Sequence, residues 1–350
     1  GQTHKEDWDS GTAAALAGGF TLVLAMPNTS PPITDAATLA TAHDAARAKA
    51  RCDYGIYLGA GADNVESAAA LARRCCGLKM YLDQTFGPLR LDDLEALMAH
   101  MARWPADRPL AVHAEGRTAA AALLAAQLSG RAVHICHVSR KDEIEMIRAA
   151  KERGLAVTCE VCPHHLFLSA ERSPPGQPTA PRGGRAEVRP TLATEVDRRA
   201  LWDNMDVIDC FATDHAPHLP AEKDGESPPP GFPGLETALG LLLLAVHAGD
   251  LTIDDVIARM HTNPRRIFDL PEQPDTWTEI DLNLEWEVHA AEMQSRCGWT
   301  PFEGWRLRGR VVRVVLRGQV AFENGIVLAA PGDGKCIHAA VEEHEHRSLT

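Results

Sequence analysis

Apolar runs of strand length alternate with helix-periodic stretches along most of this chain, and no tight-turn signal joins one run to the next. Strand-like runs lie at 20–26, 54–60, 77–82, 109–113, 133–138, 156–161 and 207–213. Helical patterns lie between or after them, at about 64–75, 91–103, 117–129, 140–153, 193–205, 235–248 and 253–261. Strand, helix, strand without hairpins forces a parallel sheet, because a parallel return needs a long crossover. The expected fold class is α/β, a TIM (β/α)8 barrel. A closed barrel of this kind has eight strands, and the runs number seven. Thr3-His4-Lys5-Glu6 reads as a capping box, so the chain is expected to open on a helix that stops at Gly18-Gly19. Asp35 is expected to cap a helix reaching Ala50. The first barrel strand is therefore expected upstream of Gly1, with the chain an N-terminally truncated piece of a longer polypeptide, as the lack of an initiator Met also suggests.

The pattern changes after Pro271. Val311–Leu316, Val320-Ala321-Phe322 and the turn Asn324-Gly325 predict short antiparallel strands. The expected organisation is a barrel over 1–270, a small β segment over 271–330 and a flexible tail over 331–350, which holds His344 and His346. Pro/Gly-rich loops are expected at 170–188 and 216–234, both after strands, at the barrel end where sites are built.

Lys+Arg 35 against Asp+Glu 48 gives a net charge of −13, which argues against a nucleic-acid or anionic-membrane surface. No apolar run approaches the roughly 18 residues of a membrane span, and Gly1–Glu6 has no signal-peptide core. Nine scattered cysteines do not form a disulfide framework, so a reducing cytoplasm is expected.

Five predicted strands in turn end in metal-binding groups: Lys79, His113, His137, Glu160 and Asp214. One such residue in a strand is ordinarily a satisfied rim group. Five at one end of one barrel point to a site for a zinc-like ion. An unpaired Lys79 in an apolar strand would be costly. A salt bridge would account for it, and so would CO2 addition, which makes its amine an anionic ligand able to bridge two metals. Cys136 adjoins His137, within reach of a metal. Cys159-Glu160-Val161-Cys162, followed by His164-His165, is a lone C-x-x-C. Strand alternation puts its two thiols on opposite faces, against a zinc ribbon or redox pair. Cys75-Cys76 reads as a packing pair at a helix end.

In order, Ala25-Met26-Pro27-Asn28-Thr29, Gly77-Leu78-Lys79, His113-Ala114-Glu115, His134-Ile135-Cys136-His137-Val138, Cys159–Leu166, Glu187-Val188-Arg189-Pro190, Thr213–His218, Pro230–Thr237 and Asn263–Phe268 resemble dihydroorotase, most of all the dihydroorotase domain of the animal multifunctional pyrimidine-synthesis protein. The likeness runs over nearly residues 1–330. It implies an amidohydrolase-type barrel that reversibly closes N-carbamoyl-L-aspartate to L-dihydroorotate. It implies two zinc ions bridged by carboxylated Lys79, with His113 and His137 on one, and Asp214 on the other and acting as general acid/base. Cys136 and Glu160 match ligands of a third zinc. Asn28, Arg189 and His218 would bind substrate with backbone help at Pro230-Gly231, and Thr85-Phe86 match the tip of a lid. The implied partners are carbamoyl-phosphate synthetase and aspartate transcarbamylase units on the same polypeptide, and further copies in a homo-oligomer. The family's His-x-His-x-Arg on the first strand has no counterpart on a strand here, so residues 1–350 alone are expected to be inactive. A dihydropyrimidinase or allantoinase would use the same metals, but Arg189, Asn28 and the Pro-Gly-Phe-Pro-Gly loop favour dihydroorotase. A metal-deficient, dihydroorotase-like scaffold is the non-enzymatic alternative.

Overall fold

The computed structural model describes residues 2–171 and 176–338. Seven parallel strands form one sheet in sequential order: β1 (Leu22–Ala25), β2 (Asp53–Gly59), β3 (Gly77–Tyr81), β4 (Leu110–His113), β5 (Val133–Ile135), β6 (Val157–Val161) and β7 (Cys210–Phe211). β2 and β3 are buried at every residue, which is why they read as unbroken apolar runs rather than alternating ones. Helices fill the crossovers and bury Leu39, Leu97, Leu123, Ile144 and Leu201 against the sheet in one continuous core. Two helices match their expected bounds, Arg117–Ser129 and Leu235–Ala248, and Asp35 caps the helix Ala36–Lys49 by accepting from Thr38 N.

Three local expectations are corrected. The first helix runs Trp8–Ala17 with Asp7 at its N-cap, not Thr3, because the Asp7 carboxylate accepts from Asp9 N and Ser10 N. The Glu6 carboxylate accepts from Ser10 Oγ in that first turn and also reaches Ser295 Oγ at 2.5 Å and Arg296 N at 3.3 Å. The seventh strand shrinks to two residues. Val207 N and Ile208 N close turns onto Asn204 O and Met205 O, and their carbonyls accept from Lys151 and Arg259, so neither is free for the ladder. A strand absent from the expectations, β8 (Trp277–Glu287), pairs antiparallel with β9 (Arg306–Leu316). With β10 (Gln319–Glu323) and β11 (Ile326–Val327) they form a second, four-stranded sheet.

The second sheet packs Val311, Val314, Leu316 and Phe322 against Ala14-Ala15-Leu16 of the first helix and Leu235. Glu236 adds a polar tie by accepting from Gln294 N and Ser295 N, both in the connection from β8 to β9. Within the stretch expected to be a loose tail, Gly334 N donates to Ala50 O, Tyr54 N to Lys335 O and Ile337 N to Tyr54 O. Residues 339–350, with His344 and His346, lie outside the described residues. No helix among the described residues is long and apolar enough to cross a membrane.

Candidate active site

A cavity of about 1300 Å³ opens over the sheet between its two outer strands, β1 and β7. Lys79, His113, His137, Glu160 and Asp214 all line it. Each stands in a parallel strand or within three residues of its C-terminal end, the end at which such sheets hold their sites. His137 and Asp214 sit just past β5 and β7 with φ of 37° and 43°, a left-handed conformation that turns the chain sharply out of the sheet.

The polar groups meet in pairs. His113 Nδ1 and His137 Nε2 are 2.9 Å apart. That contact occupies one nitrogen of each ring, and the others, His113 Nε2 and His137 Nδ1, are buried without a hydrogen-bond partner. Burial first, then each ring's cationic or imidazole neighbours, hold both imidazoles far on the neutral side, His113 at about 3. Neutral, buried and unpartnered imidazole nitrogens suit a cation. Lys79 Nζ lies 2.8 Å from Cys136 Sγ, which is buried directly behind the cavity wall. Tyr81, two residues on and on the same strand face, places its ring 5.1 Å from that ammonium. His134 Nε2 is 3.2 Å from Glu160 Oε2, and His134, Cys136 and Glu160 bring donor atoms within 4.8 Å of one another, a set able to hold a metal ion. His134 was not singled out from the sequence, although in a strand it shares a face with Cys136. Burial pushes the Asp214 carboxyl up to about 7.

The rim carries the remaining expected residues. Asn28 Nδ2 donates to Phe86 O at 3.2 Å, and the Phe86 ring lies 5.5 Å from the His218 ring, so the Thr85-Phe86 loop reaches the opposite wall. His218 Nε2 donates to Pro230 O at 3.0 Å, and its Nδ1 is 3.0 Å from Lys5 Nζ. Lys5 also pairs with Glu222 at 3.0 Å and lies over the Phe86 ring at 5.2 Å. Arg189 lines the cavity and donates to Glu187 Oε2 at 3.2 Å. Gly231, at φ 145°, donates to Glu187 O, and a Cβ there would collide with Ala216 O.

Lys223 ties these rim segments together. It is fully buried, and its ammonium donates to Glu187 O at 2.6 Å, Pro229 O at 2.9 Å and Gly231 O at 3.2 Å. The Phe232 and Trp299 rings each lie 5.6 Å from it. Burial pushes its pKa down to about 8, yet three acceptors need three protons, which only the cation supplies. Nothing local in Ala221-Glu222-Lys223-Asp224 separates this lysine from a solvated one.

No family model matches the chain. It is 54% identical over its whole length to multifunctional protein pyr1-3 of Dictyostelium discoideum and 53% identical, over 97% of its length, to multifunctional protein CAD of Squalus acanthias. It spans only 16% and 15% of those two proteins. Dihydroorotase of Pyrococcus abyssi is 34% identical over 94% of the chain and 81% of its own length. Among solved structures, the inactive dihydroorotase-like domain of a Chaetomium thermophilum CAD-like multifunctional protein superposes with a TM-score of 0.79 at 29% identity, covering 95% of this chain and 94% of that one. L-hydantoinase of Arthrobacter aurescens superposes at 0.86 with 22% identity, over 96% and 85% of the two chains, a likeness of fold alone. The barrel is thus of the amidohydrolase type, and with a relative of a third identical residues matched over most of both lengths, the chain belongs to the dihydroorotase family.

Proposed function

We propose that this chain catalyses the reversible cyclisation of N-carbamoyl-L-aspartate to L-dihydroorotate and water, a step of pyrimidine (UMP) synthesis. It does so within a larger cytoplasmic, homo-oligomeric polypeptide that also carries carbamoyl-phosphate synthetase and aspartate transcarbamylase units. The observation that carries this reading is the meeting of Lys79, His113, His137, Glu160 and Asp214 in one cavity with Asn28, Arg189 and His218 around its mouth.

In this reading N6-carboxylated Lys79, His113, His137 and Asp214 would hold two zinc ions, with both histidines serving one and Asp214 the other, while Cys136 and Glu160, with His134 beside them, would suit a third. When bound, the ions polarise the amide carbonyl and make water a better nucleophile near neutral pH. The protein's own groups do the rest. Arg189 grips a substrate carboxylate through two parallel hydrogen bonds. Asn28, His218 and the backbone at Pro230-Gly231 fix the remaining polar atoms. In the hydrolytic direction water adds to the ring amide carbon, the C–N bond breaks, and the Asp214 carboxylate takes the water proton and hands it to the departing nitrogen. A carboxylate placed between the attacking water and the departing nitrogen can do both. Phe86 covers the reacting centre and excludes water.

One observation favours a second reading, a metal-deficient scaffold: a solved neighbour is an inactive dihydroorotase-like domain. Against it stand Lys79, His113, His137 and Asp214, all kept and all converging. The deciding experiment assays the full-length protein for turnover of dihydroorotate, dihydrouracil and allantoin and measures its zinc. Dihydroorotate turnover with bound zinc is expected. Preference for either other ring would make it a different cyclic amidohydrolase, and absence of both zinc and turnover would make it the scaffold. Residues 1–350 produced alone are expected to turn over none of the three.

A further inference from the structure

A second group of metal-type donors lies outside the cavity. Cys162, His164 and His165 are all buried, and they hold one ligand atom each within 4.8 Å of one another. Cys162 directly follows β6, and both histidines stand on the short helix Pro163–Phe167. The sequence invites pairing Cys162 with Cys159, but the fold separates them. Cys159 Sγ faces Val207 O at 3.5 Å and packs into the main core, leaving Cys162 to the histidines.

The histidines carry the signature of a site rather than of packing. His165 Nε2 lies 3.0 Å from Pro190 O. A carbonyl only accepts, so the proton sits on Nε2 and Nδ1 is left as a bare lone pair. That Nδ1 is buried and has no partner, and so is His164 Nε2. The two rings are 4.3 Å apart, and Phe232 stands edge-on to His164 at 5.3 Å, which keeps the pair together. Each buried nitrogen left without a hydrogen bond is a penalty, and packing alone leaves both standing. One cation satisfies both. A carbonyl fixing the far nitrogen of a ligating histidine is also the usual outer support of a metal ligand. Tetrahedral zinc, with sulfur at about 2.3 Å and nitrogen at about 2.0 Å, separates its donors by roughly 3.3–3.8 Å. Modest side-chain rotations therefore close the observed group around an ion.

We propose that Cys162, His164 and His165 supply three ligands of a further zinc site behind the cavity wall, with water as the fourth. The S–H bond breaks as the S–Zn bond forms, the proton leaves to solvent, and no electron moves. The ion then ties the end of β6 to the helix Pro163–Phe167 and, through His165, to Pro190, the residue after Arg189. The site stands whether or not the cavity is a dihydroorotase centre.

The test uses the full-length protein with Cys136→Ser and Cys210→Ser, which removes the thiol beside Lys79 and the one lining the cavity. Stripped of metal and titrated with Co2+ alone, it is expected to develop a thiolate-to-cobalt charge-transfer band. Adding Cys162→Ser should abolish that band and lower the zinc bound by one equivalent per chain. Adding Cys159→Ser should change neither. No band in this doubly substituted protein, or a band and zinc content that survive Cys162→Ser, overturns the proposal. Should Cys162→Ser fail to fold, X-ray absorption at the zinc edge of the doubly substituted protein decides: a sulfur neighbour at about 2.3 Å is expected, and a purely nitrogen and oxygen shell overturns the site.

Discussion

The two sheets of this molecule bury their strands differently, and that difference governs what each can do. The parallel strands β2 and β3 are covered on both faces. A polar side chain in such a strand has no water to turn to, so it persists only where something partners it. Lys79 in β3 and His113 in the fully buried β4 are such residues, and they converge with Glu160 of the partly covered β6. The antiparallel β8 has no buried residue along its eleven. Its Glu279 and Trp277 bond each other across the surface, and its Leu282 and Leu284 stand 40% and 41% exposed. Polar residues there cost nothing and therefore announce nothing. A buried polar group in an apolar strand is a functional statement, whereas the same group in a half-wet strand is not.

The comparison breaks most visibly at Asp214. Asp214→Asn keeps the shape but removes the proton carrier, and kcat of the full-length protein should fall roughly 10²–10⁴-fold in both directions. A loss confined to KM would instead make Asp214 a substrate-binding group. Lys223→Met tests whether the buried rim needs its charge as the strand ends need theirs. It strands three carbonyls, each net hydrogen bond to a charged group being worth about 1.5–3 kcal/mol. Dihydroorotate kcat/KM should drop roughly tenfold or more, with KM carrying most of the change. A drop below twofold would leave Lys223 a mere space-filler. Leu282→Ala in β8 should have the smallest effect, within about 0.5 kcal/mol in denaturant unfolding. A cost above about 2 kcal/mol, the range of a core leucine, would mean that β8 is covered in the assembled protein.

The same contrast sets how far the sequence could be read. Strands buried on both faces appear as apolar runs, so β2, β3 and β4 were legible to within a residue at either end, and so were the metal-type groups Lys79 and His113 standing in them, whereas the expected runs at 20–26 and 133–138 overshoot β1 and β5 by two and three residues. β8 was not legible, because its charges and half-exposed leucines mimic a loop. Lys5 and Lys223 were missed for a different reason. Their partners, His218 and Glu222 for one, Glu187, Pro229 and Gly231 for the other, come from loops whose folding no periodicity encodes. Lys5 was even assigned to a capping turn that forms four residues later. His134 could have been found, since it lies two positions from Cys136 in a strand.

The left-handed backbone at His137 and Asp214 reaches beyond chemistry. Side chains other than glycine hold that conformation at a cost on the order of 1–3 kcal/mol each, and glycine would relieve it. Of the six described non-glycine residues with positive φ, His137 and Asp214 are the two at which a glycine would relieve the backbone only by removing a proposed working group. A screen that rewards heat resistance alone would drift toward a sturdier chain with an emptied centre, so durability and turnover have to be selected together.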